Sequence, residues 1–362
     1  MKKSKLYFYT KHQFKGASSR YRSLQYFSYL EKEGYEIVHR FLFSDNYLNL
    51  KYNKNRFFYF HAFLCIVKRF INLISDARRN NVFIIEKELF PYLPFCIEKV
   101  LRMIGVKYIV DYDDAIWHNY DSHRSSFIRY ALGDKLKKVI YHSNFFIGGN
   151  DYLCNYAKYS NAKCIAQIPT VLSKARYDEV FIDSVKESVF TIVWIGSPST
   201  SRYISGINSA LNEISKVFAV NIKLIGFDEA LSKSLVFPHT VVKWDSKTEI
   251  TEMASSHLGI MPLPDTPFEK GKCGFKLIQY MAVGLPVIAS PVGVNNEIVN
   301  DHVNGFKCST NDQWYEKIKF LILNENLRVE MGKVNRQVFV EKYSLESVAP
   351  RYLKVIADVT YA

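Results

Sequence analysis

From Glu269 to Gly293 the chain reads Glu-Lys-Gly-Lys-Cys-Gly-Phe-Lys-Leu-Ile-Gln-Tyr-Met-Ala-Val-Gly-Leu-Pro-Val-Ile-Ala-Ser-Pro-Val-Gly. Gly271 and Gly274 open a loop that contains Lys272, and Phe275 begins an apolar-periodic run. The run predicts a helix from about Gly274 to Val283, with Gly284 at the left-handed C′ position and Pro286 blocking continuation. Lys276 and Gln279 then share one helix face near its start. A helix entered from a glycine loop presents unpaired backbone N–H groups and a positive dipole end. With a cation and an amide on the same turn, that is chemistry for a phosphate and a hydroxyl, as in the diphosphate and ribose of a nucleotide. The plain alternative is an ordinary helix–strand unit of any doubly wound sheet.

Other polar groups follow apolar strands, where doubly wound sheets bind ligands. Asp111-Tyr-Asp-Asp114 follows the strand Val106–Val110. Three carboxylates there repel unless they have partners or a use. Asp113 or Asp114 can take a proton from a reacting hydroxyl or stabilise positive charge, or one of them simply caps a helix. The loop Gly16-Ala-Ser18-Ser-Arg20-Tyr-Arg22 offers two arginines that either reach a phosphate or sit solvated on a first turn. The loop Gly196-Ser197-Pro-Ser-Thr200-Ser-Arg202 combines backbone N–H groups, hydroxyls and a cation, a suitable diphosphate cradle. Thr200 or Ser201 can also cap the next helix. Trp244 ends another strand, and Glu249 beyond it reads as surface.

The elements needed to position these groups alternate along the chain. Lys5–Thr10, Tyr35–His39, 81–85, 106–110 and 144–150 read as strands, with a helix from about Arg20 to Glu33 between the first two. A second run follows at 189–196, 220–226, 241–244, 258–261 and 287–290, with a helix over about 203–218. Such alternation predicts two parallel-sheet, Rossmann-like domains. No Gly-x-Gly-x-x-Gly is present, which speaks against a dinucleotide cofactor.

The segment 269–293 strongly resembles the donor-binding helix of family 4 retaining glycosyltransferases of GT-B fold, in the Gly-Lys-Cys-x-Phe-Lys-x-x-Gln-Tyr-Met-Ala form found in bacterial surface-polysaccharide members. Gly271 and Gln279 stand where the usual pattern has two glutamates. The resemblance is strongest over 189–310. It implies two Rossmann-like domains facing a cleft: residues 1–172 for the acceptor, and 173–344 for a nucleotide-sugar. A helix in 345–362 would return to the first domain. It implies a retaining hexosyl- or N-acetylhexosaminyl-transferase of envelope polysaccharide or lipopolysaccharide synthesis, with a glycan or lipid-linked glycan acceptor and no metal or other cofactor. Asp113 falls on the family's His position and Asp114 on its Asp. Gly16–Arg22 resembles the glycine-containing loop facing the cleft, and Trp244 stands where the base is held, unless it is a core residue. The lost glutamates leave open a partner subunit that binds without turnover.

Charge narrows the partners. Residues 1–170 carry 27 Lys+Arg against 14 Asp+Glu, whereas 171–362 carry 21 of each. A basic half suits an anionic inner-membrane surface or an acidic substrate. Nucleic acid would rest on charge alone, with no recognition motif. The stretch Arg56–Ile74 is aromatic and apolar, interrupted by His61, Lys68 and Arg69, and reads as either a core helix or an interfacial one. Six cysteines without CxxC spacing predict reduced thiols, and the expected location is cytoplasmic, peripheral at the inner face of the membrane.

Overall fold

The computed structural model describes residues 4–52, 56–183 and 186–361, without the side chains of 48, 49, 51, 52 and 181–183. The basic start at residues 1–3 lies outside the described residues. The chain divides into two compact units, the first of residues 1–170, 271–273 and 348–362, the second of 171–270 and 274–347.

The first unit holds the strands β1 (Lys5–His12), β2 (Glu36–Phe43), β3 (Val82–Glu86), β4 (Lys107–Tyr112), β5 (Phe145–Gly148) and β6 (Ile165–Gln167). They form one parallel sheet in the order β2-β1-β3-β4-β5-β6. The second unit holds β7 (Phe190–Ile195), β8 (Val220–Ile225), β9 (His239–Val242), β10 (Leu258–Met261), β11 (Val287–Ala289) and β12 (Gly305–Lys307). Its order is β12-β11-β10-β7-β8-β9, again parallel. The central strands are buried and mainly apolar, as expected where helices cover both faces. Both sheets reverse strand order once, next to β1 in the first and β7 in the second, and such switch points are where ligands bind.

Two helices differ from expectation. The span read as Arg20–Glu33 breaks into Ala17–Arg22, a 3-10 turn at Leu24–Tyr26, and Phe27–Lys32. The span read as 203–218 begins with a 3-10 segment, Pro198–Ile207, before the α-helix Asn208–Val217. A proline at N1 and a Ser197–Thr200 capping box fix that start. The helix expected to end at about Val283 runs over Phe275–Ala282, with Val283 as its C-cap. Gly284 has φ 67°, its N–H bonds the carbonyl of Met281, and the N–H of Leu285 bonds that of Tyr280, the Schellman arrangement. The last helix, Leu345–Tyr361, brings Tyr352 into a stack on Tyr26 at 4.0 Å within the first unit.

The helix Phe58–Asp76 is turned opposite to an ordinary surface helix. Its buried residues include Arg69 and Asp76, while Tyr59, Phe60, Phe63, Leu64, Ile71 and Ile74 are exposed. Arg69 donates to the carbonyls of Thr10, Arg40 and Leu89, and Asp76 accepts from Tyr9 and Arg40. Arg69 is therefore a structural cation that ties the helix to the sheet.

Candidate functional site

In the first unit the chemistry gathers where β3 and β4 end. Glu86 closes β3 beside Asp111 of β4. Lys87 follows with φ 62°, a left-handed conformation rare outside glycine, held by its N–H to the carbonyl of Asp111 at 2.9 Å. That turn places the Lys87 ammonium 3.0 Å from Asp113 and 2.6 Å from Asp114, with the Ser18 hydroxyl at 3.2 Å. Lys87 is buried, and its two carboxylates outweigh the burial that disfavours its charge, so its pKa lies above the ordinary value. Burial also opposes charge on Asp113, but Lys87 and Ser18 prevail and hold its carboxyl below the usual value. The Asp114 side chain is twice as exposed as that of Asp113, at 26% against 13%. Lys272 lies with this cluster, 3.9 Å from Asp114, and Asn150 fixes its backbone by bonding the carbonyls of Gly271 and Lys272.

Glu86 is a different kind of acid. It is buried, with the Lys11 backbone N–H 3.3 Å from Oε2 and the Ser19 hydroxyl also bonded to its carboxyl group. Burial pushes its pKa up to about 7.

The arginines of the first βα loop turn inward. Arg22 is 2% exposed. It donates twice to Asp111, at 2.5 and 3.0 Å, and once to the carbonyl of Ile168 at 2.7 Å. This corrects the expectation that Arg22 reaches a phosphate: its guanidinium is committed to a buried carboxylate, which otherwise would be an uncompensated charge. Arg20 is buried too, stacked over Phe14 at 5.4 Å and Tyr21 at 4.7 Å. Gly16 is the N-cap of the helix Ala17–Arg22 without a side-chain cap.

In the second unit, Trp194 on β7 organises the site. It is fully buried. A Cβ on Gly196 would collide with its ring, so only glycine lets the loop pass this close. Ser197 and Thr200 cap the following 3-10 segment, with the Ser197 N–H 3.3 Å from Thr200 Oγ1. Arg202 is exposed and lies over the Tyr203 ring at 5.4 Å, while the Tyr203 hydroxyl bonds Glu269 at 2.5 Å. The helix Phe275–Ala282 starts from Gly274 at φ 65°. Tyr280 pins it to the sheet, accepting from Ile195 N–H at 3.0 Å and donating to the carbonyl of Ile260 at 3.1 Å. Lys276 on its first turn lies 5.3 Å from the Trp194 ring centroid. The Gly196 loop and Lys276 therefore meet at one indole. Gln279 is 3% exposed.

Trp244 is half-buried and donates its indole N–H to Glu249 at 2.7 Å. Glu249 is 1% exposed and also takes Arg176 at 3.1 Å, so it is a buried anchor for the tryptophan rather than surface. Sequence reasoning missed Lys87 as well. The available signal was position, since Glu86-Lys-Glu88 is a charged run at the end of a buried strand.

No group of His, Cys, Asp and Glu among the described residues has metal-binding geometry.

Residues 239–338 match the family model "Glycosyl transferases group 1". None of the curated proteins matches the sequence. Among solved structures, a glycosyltransferase from Rickettsia africae is similar over 99% of each chain, with 14% identity and a TM-score of 0.70. Sucrose-phosphate synthase from Thermosynechococcus elongatus has 13% identity and a TM-score of 0.72, covering 98% of this chain and 99% of its own. HepE from Anabaena, solved with UDP-glucose, has 12% identity and a TM-score of 0.69 over 98% and 99%. The fold of this chain is the GT-B fold, two Rossmann-like domains of parallel sheet.

Proposed function

We propose that the protein is a glycosyltransferase that moves a hexosyl or N-acetylhexosaminyl group from a nucleotide-sugar to a glycan or lipid-linked glycan, with retention, in envelope polysaccharide or lipopolysaccharide synthesis. The observation that carries the reading is the meeting of the Gly196 loop and Lys276 at Trp194, beside the switch point of the second sheet. The group 1 match spans Trp244 and the helix bearing Lys276, and HepE has been solved with UDP and with UDP-glucose. The diphosphate is held by the Gly196–Arg202 loop, by Lys276 and by the N–H groups after Gly274, with Phe275 and Gln279 toward the sugar and ribose and Trp244 at the base. These cations and dipoles stabilise the charge that develops on the leaving diphosphate. In the first unit, Asp114 receives the proton of the acceptor hydroxyl, with the Lys87 ammonium bridging it to Asp113. Lys272, next to Asp114, serves the same charge. Lys276, Arg202 and the helix N-terminus supply positive charge in place of a divalent ion, so turnover in EDTA is expected to match that without it.

The test is nucleotide release from a panel of UDP-, GDP-, ADP- and TDP-sugars with candidate acceptors, after thermal-shift screening for the donor. Release with one donor and configuration retained in the product supports the reading. Donor binding with no release under any acceptor would favour the partner-subunit alternative, to which Gln279 in place of a glutamate points.

A further inference from the structure

The helix Phe58–Asp76 presents solvent with the side chains that a surface helix normally buries. Phe60, Phe63, Leu64, Val67, Ile71 and Ile74 recur at helical spacing and are each between 39% and 65% exposed. Its opposite face is bound to the sheet through Arg69, Asp76 and His61, the last 3.3 Å from Ser44. A continuous apolar stripe of this kind marks an interaction surface. The surroundings say which kind. Arg56 precedes the helix, Arg78 and Arg79 follow it, and Lys68 lies along it over Phe41 at 5.7 Å, all four exposed. The half of the chain that contains it carries the whole basic excess, 27 cations against 14 anions.

We infer that this helix is a monotopic membrane anchor that lies in the interface of an anionic bilayer, with the Phe60–Ile74 stripe among the acyl chains and the flanking arginines on lipid phosphates. Apolar burial and headgroup attraction act together in such helices. The helix is long and apolar enough to cross a membrane. It does not cross one here, because a spanning helix meets lipid on every side, and this one commits Arg69 and Asp76 to backbone and side-chain partners on β1 and β2. A second copy is disfavoured as the occupant, since it would bring two strongly basic halves together. The inference stands on the helix itself and not on the transferase reading.

The test is flotation of the full-length chain with phosphatidylcholine vesicles and with vesicles containing about one-third phosphatidylglycerol. The protein should float with the anionic vesicles at low salt and be released by added salt. The double variant Phe63→Ser/Ile71→Ser should lower the partition about tenfold or more. Its far-UV circular dichroism, melting and thermal shift with UDP should be unchanged, because both side chains are exposed. Lys68→Glu/Arg78→Glu should weaken the anionic preference while sparing the residual binding to neutral lipid. The inference fails if the protein does not float, if the serine variant floats as well as the parent, or if the bound protein resists carbonate extraction as an inserted span does. It fails equally if sedimentation velocity shows a dimer that the serine variant abolishes, which would assign the stripe to a second copy.

Discussion

The first βα loops of the two domains occupy the same place in their sheets and use their arginines in opposite ways. After β1, Arg22 folds into the interior and is spent on Asp111. After β7, Arg202 stays at the surface over Tyr203. The strand ends within reach of each loop account for the difference. β4, one strand beyond β3, carries the buried Asp111 just before its last residue, and a buried carboxylate in the charged form needs a cation. β8 and β10, which flank β7, end in Ile225 and Met261 and make no such demand. The fate of a loop cation is thus set by the strand ends within its reach, and loop composition alone does not reveal it.

Arg22→Met is the strongest way to break this comparison. It would leave Asp111 buried without its cation, and the cost of removing one partner of such a pair is about 3–5 kcal/mol. The melting temperature should fall steeply, and UDP affinity of whatever remains folded should be little changed. A variant that melts like the parent would mean that the Arg22–Asp111 pair does not hold the first domain.

Glu86 sharpens the account of the same region through pH. Its folded pKa is about 7 against an ordinary 4.5. A carboxyl raised on folding favours the protonated native state, so its stability contribution is complete below the unfolded pKa and is lost as pH rises toward 7. About 3 kcal/mol is at stake across that window. Asp113 has the opposite sign: its depressed pKa stabilises above the unfolded value and is lost only in stronger acid. Glu86→Gln should therefore flatten the decline between about pH 4.5 and 7 and leave the acid limb intact. Denaturant titrations across that range measure both limbs, and an unchanged decline in the variant would remove Glu86 as its source.

Much of this architecture is legible in the sequence, because buried parallel strands announce themselves as apolar runs. Three strands have three residues each: β11 is readable as the all-apolar Val287–Ala289, whereas β6 and β12 include Gln167, Gly305 and Lys307 and do not stand out. Helical periodicity located Phe58–Asp76 but left its sense open, since spacing defines a stripe and not the direction it faces. In the candidate sites, the placement of Lys276 on the first turn of a helix entered from Gly274 was readable, because a glycine loop followed by an apolar-periodic run marks a helix start. Lys87 was not, because its role depends on a left-handed turn that brings residues of two strands together. Arg22 failed for the same reason, with its partner 89 residues away.

Lys276→Ala probes the second loop's side of the comparison. The ammonium lies at the point where loop and helix meet, 5.3 Å from Trp194. A charge-assisted contact to phosphate is worth roughly 1.5–3 kcal/mol, so donor affinity should fall about ten- to a hundredfold with the fold intact. Titration calorimetry with the donor is the measurement, and unaltered affinity would take Lys276 out of the donor site. Asp113→Asn and Asp114→Asn divide in the same spirit. The more enclosed Asp113 should cost mainly stability, and Asp114 mainly turnover at saturating substrates. Equal and near-normal turnover in both would end the assignment of a proton acceptor to this pair.

The smallest expected effect is the most direct complement to Arg22. Arg202→Met removes an exposed cation that lies over the Tyr203 ring and bonds its hydroxyl, and the methionine side chain can cover that face. The Tyr203 hydroxyl keeps its bond to Glu269 in the variant, and substitutions of exposed side chains that leave the buried partners paired usually change stability by less than about 0.5 kcal/mol. The melting temperature should therefore stay within error of the parent, where Arg22→Met lowers it severely. Donor affinity should respond instead, by a few-fold, and the response should shrink as salt is raised, since an exposed guanidinium acts on phosphate through a screened field. Reversed outcomes, with Arg202→Met unstable and donor binding unmoved, would show that the second loop also commits its arginine to the fold, and the contrast between the two loops would disappear.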